Sequence, residues 1–198
     1  QLKAFYDKII PMKYYQFWAL LDKQPTEEEQ IKAVCETGTA IQYIKNPSEE
    51  VQQFAVENNG YAIKFIKNPS EEMQLAAVRR YSDAIMYIKN PSEEVQLTSV
   101  EENWPNIQYI ENPSEEVQFE AIQQNGWAIK YIKSPTEAVQ LAAVKQNGRV
   151  IQYIENPSEQ VQLAAVKQDG EAILYVKNPS EKVQLAAVKQ DTSAIGYI

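Results

Sequence analysis

The sequence predicts an all-α protein: a right-handed α-solenoid of eight 22-residue, two-helix repeats behind an N-terminal helical cap. Three observations predict it. Pro25, Pro47, Pro69, Pro91, Pro113, Pro135, Pro157 and Pro179 stand 22 residues apart, and a fixed period of this size marks stacked repeats. Apolar residues inside each unit recur at helical spacing, as at Val51, Ala55 and Val56. A unit this short cannot bury its own apolar face, so its neighbours must cover it.

Residues 1–24 fall outside the period and read as a helical cap over the first repeat. They are rich in aromatics, among them Phe5, Tyr6, Tyr14, Tyr15, Phe17 and Trp18. Lys3, Lys8, Lys13 and Lys23 against Asp7 and Asp22 make this the one clearly positive segment. The repeats then run over 25–46, 47–68, 69–90, 91–112, 113–134, 135–156, 157–178 and 179–198. Numbered from the proline, the consensus unit is PSEEVQLAAVKQNGxAIxYIKN. In Asn46-Pro47-Ser48-Glu49 the asparagine is a favoured N-cap, proline fits the first helical position, and Glu lies three residues after the cap. The first helix is therefore expected over positions 1 to 13. Glycine at position 14, as in Gly38, Gly60, Gly126, Gly148 and Gly170, would end it in a left-handed conformation.

A second, shorter helix is expected over positions 15 to 21, partly 3₁₀ because two turns are marginal alone. Its apolar stripe is Ala-Ile-x-Tyr-Ile, as at Ala128, Ile129, Tyr131 and Ile132. Position 17 is Ile in every copy, and position 19 is Tyr except for Phe65; both are expected in the core. Position 6 is Gln throughout, from Gln30 to Gln184. Identity in every layer is what stacking demands, so these amides are expected to form a half-buried ladder bonded to the backbone of the next repeat, not a ligand site.

The totals exclude several classes. The formal charge of −8 argues against direct nucleic-acid or anionic-membrane binding and suits a basic partner. The longest apolar runs are a few residues, too short to span a membrane. No basic leader precedes an apolar core and cleavage site, so no signal peptide is expected, although the chain begins with Gln1 as a trimmed chain would. A single cysteine, Cys35, excludes an internal disulfide framework and suggests a reducing, cytoplasmic compartment of a bacterium or infected host cell. The chain stops at Ile198 inside the second helix of repeat eight without a polar cap. That points either to a longer native chain or to pairing of this end with another molecule, including a second copy.

The string VQLAAVKQNGRVIQYI, Val139 to Ile154, resembles bacterial and viral helical-repeat domains of unknown function. The unit length and two-helix plan are also similar to the leucine-rich-repeat variant, which alternates α and 3₁₀ helices. The resemblance covers Pro25 to Ile198 and implies architecture; it also implies a phage or bacterial setting with a host-interaction or anti-defence role. Repeats three, four and eight depart from it at the glycine position, where Ser82, Trp104 and Thr192 stand.

Individuality lies where stacking does not dictate the residue. Position 15 is the most varied, and Tyr61, Tyr81, Trp104 and Trp127 fall on repeats two to five at nearly one height. They are expected to form an aromatic strip on the inter-helix edge, or to pack on the adjacent turn. Repeat four carries Glu93, Glu94, Glu101, Glu102 and Glu111 with no Lys or Arg, and the unusual run Asn103-Trp104-Pro105-Asn106. Repeat three has Arg79 and Arg80 where repeat four has Glu101 and Glu102. These charges read either as a bipolar contact patch or as exposed ion pairs between repeats, which contribute little. Position 4 is Glu in repeats one to five and then Ala138, Gln160 and Lys182. Acid in a first turn suits the helix dipole; an acidic ridge could also imitate a nucleic-acid backbone.

Catalytic chemistry has little to stand on. There is no histidine, no phosphate-binding glycine loop, no Gly-x-Ser-x-Gly and no cysteine pair. The sequence therefore reads as a non-enzymatic scaffold without cofactor or metal that binds a protein partner. Tyr61, Arg79, Arg80, Tyr81, Trp104 and Trp127 are its expected anchors, with Glu101 and Glu102 steering a basic partner. Two alternatives differ in class: sequestration of an anionic nucleotide by Arg79, Arg80, Lys64 and the aromatics, and nucleic-acid mimicry by the acidic ridge.

Overall fold

In the computed structural model, which describes residues 13–19 and 24–198, every repeat is an α-helix followed by a 3₁₀ helix. The α-helices are α1 Glu27–Glu36, α2 Glu49–Asn58, α3 Glu71–Arg80, α4 Glu93–Glu102, α5 Glu115–Gln124, α6 Glu137–Gln146, α7 Glu159–Gln168 and α8 Glu181–Gln190. The 3₁₀ helices are Gly38–Tyr43, Gly60–Phe65, Ser82–Tyr87, Trp104–Tyr109, Gly126–Tyr131, Gly148–Tyr153, Gly170–Tyr175 and Thr192–Tyr197. No strand occurs among the described residues. The second element is thus wholly 3₁₀, not partly.

The chain forms two compact units, Gln1–Val95 and Gln96–Ile198. In the first, α1 packs on α2 and α2 on α3, and each 3₁₀ helix packs on the one that follows. In the second, the same neighbour-to-neighbour packing links α5, α6, α7 and α8 and their 3₁₀ partners. This is the helical solenoid pattern that the period requires. Of the expected N-terminal cap, residues 1–12 and 20–23 lie outside the described residues. Tyr14–Ala19 form a 3₁₀ helix, and Tyr15 is buried with its ring 6.1 Å from that of Tyr43.

Three local expectations are corrected. The N-cap is the Ser or Thr at position 2, not the Asn before the proline. Ser48 Oγ accepts from the Val51 amide at 3.3 Å, and the same bond recurs at Ser70, Ser92, Ser114, Thr136, Ser158 and Ser180. At Thr26 the cap is a full capping box, with Glu29 accepting the Thr26 amide at 2.8 Å. Each helix therefore starts at position 3. Asn46, Asn90, Asn156 and Asn178 instead occupy the left-handed region, with φ of 50–52°, which asparagine tolerates better than most residues.

Glycine at position 14 is not a left-handed terminator, since no described glycine has positive φ. Its role is close approach. A Cβ on Gly148 would stand 2.3 Å from the Ala165 carbonyl oxygen of the next repeat, and one on Gly38 would stand 2.2 Å from that of Ala55. The position-19 rings are not core. Phe65, Tyr87, Tyr109 and Tyr175 are 36–42% exposed. The core is built from positions 5, 9, 10, 16, 17 and most of 20, as at Val51, Ala55, Val56, Ala62 and Ile63. In a 3₁₀ helix residues three apart eclipse, so positions 17 and 20 share the inward face; the large ring of position 19 follows the small buried residue of position 16 and emerges at the rim.

The glutamine ladder also differs in partner. Gln52 Nε2 donates to the Pro47 carbonyl of its own repeat at 2.9 Å, and Gln30, Gln74, Gln118, Gln140, Gln162 and Gln184 repeat the bond. Each amide staples its own loop onto its own helix. The bonds between repeats come from position 12. Gln146 Oε1 accepts from the Gly126 amide at 2.8 Å while its Nε2 donates to the Ile122 carbonyl at 2.6 Å. Asn58 does the same with Gly38 and Cys35, both at 2.9 Å.

Candidate functional site

The candidate surface is the edge where position 13 enters the 3₁₀ helix. An Asx turn shapes it: Asn59, Asn125, Asn147, Asp169 and Asp191 each accept, through the side chain, the backbone amide two residues on. That turn presents position 15 outward. In the first unit Tyr61 occupies it, stacked on Tyr81 with centroids 4.7 Å apart and planes 3° from parallel. Tyr87 meets Tyr61 edge-on at 6.1 Å. The Tyr61 hydroxyl donates to Asp83 at 2.7 Å. That bond, with burial and the negative charge of Asp83, pushes the phenol from 10.0 up to about 12. Arg80 lies 5.8 Å over the Tyr81 ring, and Tyr81 keeps 39% of its surface exposed.

In the second unit Trp104 is half-buried beside Tyr131 at 6.4 Å, and Trp127, 38% exposed, meets Tyr153 edge-on at 5.8 Å. Glu101 and Glu102 are exposed at the end of α4. The partners of these rings are the position-19 tyrosines of the following repeat, which sequence reasoning assigned to the core. Their visible signal was the Lys beside them: Lys64 Nζ lies 4.8 Å over Phe65, and Lys130 lies 5.5 Å over Tyr131. A lysine flanking a regular aromatic marks a rim more than an interior.

The rings thus pack on the adjacent turn, and within their own units Tyr81 and Trp127 also keep exposed faces. In later repeats position 15 turns ionic. Arg149 Nε donates to Asp169 at 2.6 Å, and Nη2 pairs with Glu171. The hydrogen bond to Asp169 and its charge raise the Arg149 pKa further. Arg79 does not share a surface with Arg80. It is exposed in a groove along the α-helices with Gln53, Glu57, Glu71, Glu72 and Leu75.

Two features that looked functional are explained by packing. Asn106 is buried, and its Nδ2 donates to both the carbonyl and the Oγ of Ser99, each at 3.1 Å. Position-3 carboxylates, of which Glu115 belongs to a pair, also have a partner in the second unit. Glu115 accepts from the Thr136 hydroxyl of the next repeat at 2.5 Å, Glu159 accepts from Ser180 at 2.6 Å, and Glu137 accepts from Ser158. Position 3 is thus an inter-repeat tie as well as a helix start. Among the described residues no cluster of metal-ligating side chains occurs, and no helix is long and apolar enough to cross a membrane.

Comparisons with protein-family models, with curated proteins and with solved structures gave no match.

Proposed function

We propose that the chain is a non-catalytic repeat scaffold that binds a protein partner through the ring-bearing edge of its 3₁₀ helices. The observation that carries this reading is the fate of position 12. In repeats two to eight that position is Asn or Gln, except for Arg80 and Glu102. The amide there ties one repeat to the last, as at Asn58 and Gln146. Arginine offers only donors and glutamate only acceptors, so neither can make both bonds, and a repeat that abandons a stabilising rule is a repeat under another constraint. Arg80 and Glu102 flank the exposed ring of Tyr81 and the half-buried ring of Trp104, so the departure coincides with aromatic and charged chemistry of contact type. The acidic balance of the chain suits a basic partner and fast, salt-sensitive association. The resemblance adds a host-interaction setting for such a partner.

The test is capture with the immobilised chain, at low and high salt, followed by comparison with two variants. Trp127→Ala with Trp104→Ala should lose the captured protein while circular dichroism stays unchanged. Arg80→Gln should weaken capture and raise the unfolding midpoint, because it restores the amide. Capture that survives all these changes would overturn the placement of the surface.

A further inference from the structure

The loop side of the first unit holds a cleft of about 570 Å³ between the 3₁₀ ends of repeats two and three. Its lining residues include Phe65, Tyr87, Lys64, Lys67, Lys89 and Gln74, with no carboxylate among them. In a chain of net charge −8 this is a local inversion of sign. The equivalent cleft of the second unit, about 650 Å³, has Gln152 where Lys64 stands and Glu155 where Lys67 stands. Lys67 and Lys89 are the usual residue of position 21, and the second cleft keeps Lys177 in place of Lys89; Lys64 is matched at position 18 only by Lys130, so what is particular to this place is that all three cations meet.

Lys64 Nζ is held 4.8 Å over Phe65 and 5.7 Å over Tyr87, which fixes a cation at the aromatic wall. The rings remain 36% and 40% exposed and offer flat apolar area beside it. Gln74 donates Nε2 to Pro69, which orients the amide, and its buried Oε1 has no donor. A ligand with an N–H or O–H could supply one. Three cations, two rings and one spare acceptor describe a small molecule that joins a phosphate to a planar, hydrogen-bonding ring. We infer that this cleft binds a nucleotide. Arg79 and Arg80 take no part in it. The inference does not require the protein-binding reading: it shares Tyr87 with that surface but rests on Lys64, Lys67, Lys89 and Gln74, which that reading does not use.

Titration calorimetry of the full chain with AMP, GMP, CMP and UMP at low ionic strength tests it. At least one of them should bind, and adenosine or inorganic phosphate alone should bind at least about tenfold more weakly, since each lacks half of the chemistry. Lys67→Glu and Lys64→Gln each copy the residue of repeat six, so the fold accommodates them. Each should weaken nucleotide binding at least about tenfold, with circular dichroism unchanged. Conversely, Gln152→Lys with Glu155→Lys should give the second unit a new site and raise the stoichiometry. Absence of heat with all four nucleotides would overturn the inference. So would equal affinity for the bare nucleoside or bare phosphate, or binding indifferent to both lysine substitutions.

Discussion

Asn106 shows how one residue can look functional and be structural. It stands where other repeats carry Ala or Val, and Ser99 stands where they carry Ala. Each substitution buries a polar group, and the two bond each other. Asn106→Ala alone should cost about 1–3 kcal/mol in urea unfolding, because it strips partners from Ser99. The double change with Ser99→Ala restores the consensus and should cost less than that single change. A double mutant as costly as the two singles combined would remove the pairing argument. Tyr61 makes a second prediction at this scale. Its folded pKa is raised above the unfolded 10.0 to about 12, so the protonated phenol is favoured by folding. That contribution is present below pH 10, fades as pH rises through about 12 and is gone above it. An ultraviolet phenolate titration should show a step near pH 12 from Tyr61, and Asp83→Asn should move that step to lower pH.

The elements were legible in unequal measure. The period, the apolar positions and the Gly-Asn punctuation locate an α-helix and a short second helix in each unit, because burial and caps leave residue types at fixed spacings. The start of the helix was misplaced because Asn and Ser are both good N-caps and stand two residues apart. Only geometry shows that Ser48 closes the amide of Val51 while Asn46 takes φ of 51°. Ser48→Ala should therefore cost about 1 kcal/mol in thermal unfolding. Asn46→Gly should be close to neutral, since glycine enters the left-handed region freely. If Asn46→Gly proved the costlier, the cap would belong to Asn46. The tyrosines were misplaced because near-identity in every layer was taken as a mark of the core, whereas a ring that packs on the neighbouring repeat along the rim repeats just as regularly. The candidate surface was half legible: the outward rings at position 15 follow from variation along the array, but their position-19 partners are regular and read as core. The inter-repeat amide was hidden because Gln at position 6 and Gln at position 12 are indistinguishable in sequence.

At the scale of the molecule, the ties between neighbours are themselves periodic. Position 12 reaches the glycine amide of the repeat before it, and position 2 reaches that repeat's Glu at position 3. Repeats six to eight share the string VQLAAVKQ, so their ties are interchangeable. Removal of residues 157–178 would set Gln190 against Gly148 and Ser180 against Glu137. The shortened chain should fold with unchanged ellipticity per residue and a modestly lower melting temperature. Loss of cooperative melting would show that the ties are specific to each pair. Removal of 11 residues should abolish folding of the second unit, since it breaks both registers at once. Because near-identical tracts invite recombination in whole units, a single genetic step that adds or removes a multiple of 22 residues would keep both registers of ties, whereas one of any other length would break them.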